Sequence, residues 1–216
     1  KIYSSTFESA VEHKIERMIY ISSSMVFEST NVFPSKESDV WKIPPPLTAY
    51  GFSKLIGEQY CKAFNKQYGL KYSICRPFNA YGINEFPGEE IGYAHVIPDL
   101  TKKMMMGQYP IELLGSGEQI RCFTHVRDIA DGIIAVMESK KAVNEDFNIS
   151  SNTPTKIIDL AKMLWKIIEE KREFKAKFVK GFEFDIKRRV PDTSKMRMLL
   201  NWEAKIKIEN GLKEVV

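Results

Sequence analysis

RMIYISSSMVFE, residues 17–28, is the stretch on which the fold turns. The run Arg17-Met18-Ile19-Tyr20-Ile21 has no polar alternation, so it reads as a strand covered on both faces, the kind found in parallel sheets. Three hydroxyls, Ser22, Ser23 and Ser24, stand where that strand runs out. In open α/β sheets ligands collect beyond the carboxyl ends of such strands. The cluster is therefore placed to hydrogen-bond a ligand, although taken alone it reads more readily as a chain turn, serine being common in loops.

Working outward, Phe7, Ala10 and Val11 recur at helical spacing and predict a helix from about Thr6 to His13, capped by Ser4 or Ser5. After the serines comes a long loop rich in Pro, Ser and Asp that runs through Pro44-Pro45-Pro46. A second helix spans about Ala49 to Tyr68, with Leu55, Tyr60, Ala63 and Phe64 as its apolar stripe and Gly69 as its C-cap. Tyr72-Ser73-Ile74-Cys75 is the next buried strand, closed by Arg76-Pro77. Strand, helix, strand in this order implies a right-handed βαβ crossover and a parallel sheet.

Beyond Tyr81-Gly82 the texture changes. The pattern predicts a loop from Ile83 to Tyr93, a helix from about Ile97 to Met106, a strand Ile111–Leu114, a Gly115-Ser116-Gly117 turn and an extended run Ile120–Val126. Asp128 is the expected cap of a helix to Glu138, with His125 as a packed strand residue. A strand Phe147-Asn148-Ile149 follows, then a helix from Ile157 to Glu170 capped by Thr155. Lys171 to Lys180, which interleaves lysines with Phe174, Ala176, Phe178 and Val179, reads as a half-exposed strand with solvated charges. The acidic pair Glu89-Glu90, beside Gly88 and Gly92, reads as solvated loop. Residues 1–82 thus form one unit, and residues 83–216 mainly a smaller α+β lobe with some segments returning to the sheet.

A net charge of +4 over 216 residues, with no basic stripe among aromatics, argues against nucleic acid. No stretch has the length of a membrane span and no signal peptide opens the chain. The 3 cysteines, Cys61, Cys75 and Cys122, are far apart and form neither a disulfide framework nor a metal-ligand spacing, so a reducing, cytoplasmic setting and no metal are expected. Both ends read as cut: Lys1-Ile2-Tyr3 enters a helix with no earlier strand, and Asn210–Val216 begins a helix that stops abruptly.

Tyr50 and Lys54 lie four apart at the start of a helix and share one face. An ammonium beside a phenol favours the phenolate, which is how a tyrosine becomes a general base near neutrality. That spacing alone is common by chance. Order supplies the specificity: strand, serine cluster, Tyr-x-x-x-Lys opening the next helix, strand, then Arg76-Pro77-Phe78-Asn79-Ala80-Tyr81-Gly82. In this the chain resembles the extended short-chain dehydrogenase/reductase family, in particular its NAD-dependent nucleotide-sugar epimerases and dehydratases, from about Thr6 to Trp202. The resemblance implies an α/β fold: a Rossmann-like parallel sheet whose N-terminal half is not among these residues, with the smaller lobe binding substrate.

It also implies roles. Tyr50 matches the family's catalytic base, Lys54 its partner and holder of the nicotinamide ribose, and Ser23 the catalytic hydroxyl, with Ser22 and Ser24 as second choices. Ser22, Pro77 and Phe78 fall on the cofactor side. Ser24, Met25 and Asn79 fall beside the sugar or diphosphate, and Val96 and Pro98, within His95-Val96-Ile97-Pro98, along the nucleotide. Gly115-Ser116-Gly117-Glu118-Gln119-Ile120-Arg121-Cys122-Phe123 resembles a motif whose arginine, here Arg121, grips the diphosphate; Cys122 stands where Asp is usual. Arg188-Arg189-Val190-Pro191-Asp192 resembles a late signature in which Arg189 is the second clamp and Asp192 its orienting partner. A planar guanidinium suits the task, since it donates two bonds to phosphate oxygens. Phe27-Glu28 replaces the usual Tyr-Gly.

Family members that eliminate water usually carry Asp-Glu after the hydroxyl, and those that decarboxylate carry Glu. Here Ser24-Met25 stand there, and a thioether cannot transfer protons. The implied activity is therefore a 4-epimerase acting on a UDP-sugar through a transient ketosugar, with NAD as cofactor and a homodimer formed through a four-helix bundle. The alternatives are a dehydratase or reductase of the same family, or a non-catalytic sugar-nucleotide binder. No Gly-x-x-Gly-x-x-Gly loop occurs in the 216 residues, so the NAD pyrophosphate lacks its usual cradle, and the chain by itself is expected to bind NAD poorly.

Overall fold

The structure, a computed structural model, describes residues 2–88, 95–169, 171–181 and 186–216. In chain order the first elements are α1 (Ile2–Glu12), β1 (Met18–Ile21), α2 (Ala49–Tyr68), β2 (Tyr72–Pro77), β3 (Ala80–Tyr81) and α3 (Val96–Met105). They are followed by β4 (Ile111–Leu114), β5 (Ile120–Cys122), β6 (Thr124–His125), α4 (Val126–Glu138), β7 (Glu145–Ile149) and β8 (Pro154–Lys156). The chain then adds α5 (Ile157–Ile168), β9 (Ala176–Val179), β10 (Arg188–Arg189), α6 (Ser194–Leu200) and α7 (Ile208–Val215).

The organising sheet has the order β1-β2-β7 and is parallel throughout, with Tyr20 opposite Ile74 and Cys75 opposite Phe147. Its central strand β2 is buried on both faces, which is why its sequence lacks polar alternation. Tyr72 and Ile74 pack with Phe7, Ala10, Tyr20 and Cys61 toward α1 and α2. Cys75 packs the other way, with Phe147, Ile129, Val136 and Trp202. A separate apolar cluster built from α3, β4, α5 and α7 holds the second lobe together around Ile97, Leu113, Leu160 and Leu164. There β10 and β5 run parallel, β8 joins β5 antiparallel, and β4 pairs with β9 in parallel. The β3–β6 pair, Ala80 opposite Thr124, bridges the end of β2 to the start of α4.

Helix α2 has the predicted span for the expected reasons. Thr48 caps it, its hydroxyl accepting from Gly51 N at 3.2 Å, and Gly69 ends it at φ +73°, a left-handed conformation that glycine adopts without a Cβ penalty. Other caps differ from expectation. Helix α1 starts at Ile2, so Ser4 and Ser5 lie inside it. His125, not Asp128, caps α4: its Nδ1 accepts from Arg127 N at 3.3 Å. Asp128 sits in the first turn and accepts instead from the backbone of Lys205 and Ile206, at 3.1 and 2.9 Å, tying the following chain to α4. Thr155 belongs to β8, and Lys156 is the residue before α5, which ends at Ile168. The extended run at 120–126 breaks at Phe123, and Val126 is already helical. Glu89, Glu90 and Gly92 lie outside the described residues. Among the described residues no helix is long and apolar enough to cross a membrane.

Candidate active site

A cavity of about 640 Å³ opens beyond the carboxyl ends of β1 and β2. One wall comes from the strand ends: Ile21 and Ser22–Met25 after β1, and Pro77, Asn79, Ala80 and Tyr81 at the end of β2 and in β3. Tyr50 and Lys54 of α2 form a second wall. The facing wall belongs to the second lobe: His95, Val96, Ile97, Asp99, Leu100 and Lys103 at α3, Glu112–Leu114 of β4, then Gln119, Arg121, Phe123, Ile157 and Arg189.

The serine segment is built to turn. Ser23 has extended backbone and its hydroxyl accepts from Met25 N at 3.2 Å, capping a 3₁₀ turn over Ser24–Phe27. Below it, Val26 and Phe27 are buried against Phe78 and Val40. The first turn of α2 approaches this segment so closely that a Cβ on Gly51 would lie 2.9 Å from Met25 O and 2.8 Å from Pro46 Cβ. Glycine at 51 thus lets Tyr50 and the serines share one cavity. Glu28, which replaces the expected glycine, strengthens the same junction: its Oε2 accepts from the backbone N and hydroxyl of Thr48, at 3.1 and 2.9 Å, anchoring the start of α2. Lys54 Nζ donates to Ile21 O at 3.0 Å and lies 5.8 Å from the Tyr50 ring centroid. This places its ammonium between the end of β1 and the phenol, which remains half exposed to the cavity.

Across the cavity the two arginines are partners in register, Arg189 of β10 opposite Arg121 of β5. Strand pairing alone therefore brings both guanidiniums to one face. Arg189 reaches the serine segment, with Nη1 3.5 Å from Ser24 Oγ and Nη2 2.8 Å from Met25 Sδ. Arg121 Nη1 donates to Ile120 O at 2.9 Å. At the rim His95 is bonded through Nδ1 to Glu85, and this bond raises the imidazole's pKa against the opposing effect of burial. At the deep end Lys103 is buried, donating to Glu112 O at 3.2 Å and pairing with Asp99 at 2.7 Å. The three thiols are buried, and burial pushes them up, Cys75 and Cys122 to about 12, so none is a ready nucleophile.

Of the residues singled out from sequence, Ser22, Ser23, Ser24, Met25, Tyr50, Lys54, Pro77, Asn79, Val96, Arg121 and Arg189 line this cavity. Three are placed elsewhere. Phe78 is buried with Val26 and Phe27, because alternate residues point to opposite sides of an extended chain and Pro77 takes the cavity side. Pro98 is buried inside α3, whose cavity face carries Val96, Ile97, Asp99 and Leu100. Asp192 turns to the start of α6, where its Oδ1 accepts from Ser194 N at 2.8 Å. Sequence reading missed Glu85, Asp99, Lys103 and Glu112 on the cavity wall, whose signal is only their position near the motifs, and it missed Glu58. Glu58 had a readable signal: it follows Lys54 by four residues, as Lys54 follows Tyr50.

The residues present fit the nicotinamide end of NAD: an ammonium and a phenol at a strand-end crevice, with Pro77 beside them. A pyrophosphate cradle of the glycine-loop type is not among the 216 residues.

Known proteins resemble this chain in sequence and in fold. A putative UDP-glucose 4-epimerase of Methanocaldococcus jannaschii is 31% identical over 208 residues, covering 95% of this chain and 63% of that protein. UDP-glucuronic acid decarboxylase 1 of Xenopus tropicalis is 28% identical, over 93% of this chain and 46% of its own length. Among solved structures, a UDP-glucose 4-epimerase of Thermotoga maritima with UDP-glucose superposes with a TM-score of 0.86 at 30% identity, covering 99% of this chain and 66% of that one. A UDP-glucuronic acid 4-epimerase of Bacillus cereus, in complex with UDP-glucuronic acid and NAD, gives 0.85 at 28% identity, with coverages of 99% and 64%. The chain thus spans about half to two thirds of the length of the relatives it matches. The profile of the NAD dependent epimerase/dehydratase family matches residues 4–150, and with the parallel sheet and the strand-end cavity this establishes that the chain belongs to that family.

Proposed function

We propose that these residues form the catalytic and sugar-nucleotide part of an NAD-dependent 4-epimerase of UDP-sugars. One observation carries the reading: a phenol with an adjacent ammonium and a serine hydroxyl on one side of a single cavity, and two register-paired arginines on the other. In this assignment residues 1–82 carry the cofactor-side machinery and residues 83–216 most of the sugar-nucleotide lobe. NAD, when bound, supplies the hydride acceptor and donor. Tyr50 takes the proton of the sugar hydroxyl. Ser23 hydrogen-bonds the same oxygen and stabilises it as a carbonyl develops. Lys54, braced by Ile21 O, holds the nicotinamide ribose and keeps positive charge beside the phenol. Arg121 and Arg189 hold the diphosphate, so the ketosugar can turn and present the other face of its carbonyl carbon for return of the hydride, while Tyr50 gives the proton back to the oxygen. Methionine at 25 adds no carboxylate for elimination or decarboxylation, which favours epimerisation.

The test is full-length protein incubated with UDP-glucose, UDP-galactose and their N-acetyl forms, with and without NADPH. Interconversion of 4-epimers without net NADPH use is expected. Tyr50→Phe should lower kcat about 10²- to 10⁴-fold, the range of a lost general base. Stoichiometric NADPH consumption would make the protein a reductase, loss of water a dehydratase, and binding without turnover a sugar-nucleotide binder.

The same reading includes a homodimer through a four-helix bundle of α1 and α2. Its support is that α1 packs on α2, Phe7 lying 5.3 Å from Phe64 between ring centroids, while Phe52 and Tyr68 of α2 stay exposed. Light scattering at micromolar concentration tests it. Three free buried cysteines support a reducing, cytoplasmic setting.

A further inference from the structure

Glu58 is fully buried in the third turn of α2 and carries no assigned role. Its carboxylate meets two segments that are distant in sequence. Oε1 accepts from the hydroxyl of Ser22, just past β1, and from Arg76 Nε at 2.8 Å; Oε2 accepts from Arg76 Nη2, also at 2.8 Å. Arg76 is itself fully buried in β2 and donates from the same Nη2 to Asp146 of β7 at 2.7 Å. Asp146 then pairs with Lys195 of α6 at 2.8 Å. Charges therefore alternate from Glu58 of α2 through Arg76 of β2 and Asp146 of β7 to Lys195 of α6, and the Ser22 hydroxyl ties the end of β1 to the same carboxylate. Burial works against the Arg76 charge, and the two carboxylates together more than offset it, holding the guanidinium charged.

Such a buried pair is a poor means of gaining stability, because desolvation cancels most of the attraction and apolar side chains of the same volume serve as well. What a bidentate fork supplies is geometry. Three members of this network stand next to cavity groups: Ser22 precedes Ser23, Arg76 precedes Pro77, and Glu58 lies one turn beyond Lys54 and two beyond Tyr50. We propose that Glu58 is a positioning residue for the Tyr50 chemistry, locking α2 in register against the ends of β1 and β2 so that the Tyr50 phenol and the Ser23 hydroxyl converge on one substrate oxygen. The inference rests on the epimerase reading above. Glu58 touches no reacting atom; it acts through Ser22 and through the backbone of α2.

The experiment compares four variants of full-length protein at saturating NAD. In Glu58→Gln one oxygen facing Arg76 becomes a donor, and the register loosens. Its kcat should fall about 10²-fold, as a shift of about 1 Å at the reacting groups does, while KM for the UDP-sugar stays within about twofold because Arg121 and Arg189 are untouched. Ser22→Ala leaves the Glu58–Arg76 pair intact and is the safer variant to fold. It should lower kcat about tenfold at unchanged KM, by the same loss of alignment. Val136→Ala, on the opposite face of the sheet and away from the cavity, controls for a loss of stability alone and should keep the wild-type kcat. Wild-type kcat in both Glu58→Gln and Ser22→Ala overturns the inference, as does a Glu58→Gln loss no greater than in Val136→Ala. Tyr50→Phe separates the two failures: if it abolishes turnover while Glu58→Gln does not alter it, only the positioning role is wrong, and if it stays fully active the epimerase reading falls, and this inference with it.

Discussion

Replacing Gly57 with alanine should destabilise the protein, against the ordinary rule for helices. In the interior of a helix, alanine is favoured over glycine by about 1 kcal/mol. Here a Cβ on residue 57 would lie 2.0 Å from the Tyr20 hydroxyl oxygen and 2.2 Å from its Cζ, where ordinary contact begins near 3.4 Å. Tyr20 has little room to yield. It is buried in β1, its ring packs edge-on to Tyr3, and its hydroxyl donates to Lys54 O at 3.1 Å. Relief takes a shift of about 1.4 Å, either of that ring or of α2, which carries Tyr50 and Lys54. Overpacking of this kind costs about 1–3 kcal/mol, and a buried phenol deprived of its acceptor adds about 1–3 kcal/mol. After the propensity gain, Gly57→Ala is expected to lose about 1–5 kcal/mol, about 3 kcal/mol at the centre of that range. With a urea m-value of about 2–3 kcal/mol/M, a loss of about 3 kcal/mol lowers the unfolding midpoint followed by circular dichroism by about 1–1.5 M. Tyr20→Leu in the same chain should absorb part of the clash and make the pair less than additive by at least about 1 kcal/mol. An unchanged or raised midpoint in Gly57→Ala would refute the reasoning, and so would strict additivity.

Two further outcomes follow from the same contacts. Burial opposes the Asp146 charge, yet Arg76 and Lys195 outweigh it and hold the carboxyl below its ordinary 3.8. A carboxyl depressed in the folded state contributes stability that is present above that ordinary value and lost as pH falls through the folded one. Asp146→Asn should therefore lower the urea midpoint at pH 7 and flatten its decline below about pH 4; a midpoint falling with wild-type steepness would contradict this. Arg121→Gln and Arg189→Gln each remove a charge-assisted bond to the diphosphate and should raise KM for a UDP-sugar about 10- to 100-fold, with kcat nearly unchanged. Steady-state kinetics in which kcat falls while KM holds would assign those arginines another role.

What was legible in the sequence was local. The span of α2 follows from Thr48, its apolar stripe and Gly69, and β4 from four residues before a Gly-Ser-Gly turn. Caps were less legible. His125 takes the place expected of Asp128 because the Asp128 carboxylate is drawn to the backbone at 205–206, a partner that no neighbouring residue announces. The same limit separates Pro77 from Phe78 and Val96 from Pro98: motif adjacency puts both members near the site, and only the twist of the chain chooses which one faces it.

The sequence by itself determined the parallel α/β sheet, the serine cluster at a strand end and Tyr50 with Lys54 on one helical face, because each depends on hydrophobic period or on spacing within a turn or two. Tertiary structure alone decided that Arg121 and Arg189 stand in register, and that Glu58 meets Ser22 and Arg76 while Arg76 meets Asp146, 70 residues away. Those pairings arise where separately formed elements dock. A carboxylate or guanidinium removed from water there must find its partner in space, wherever the chain has brought one.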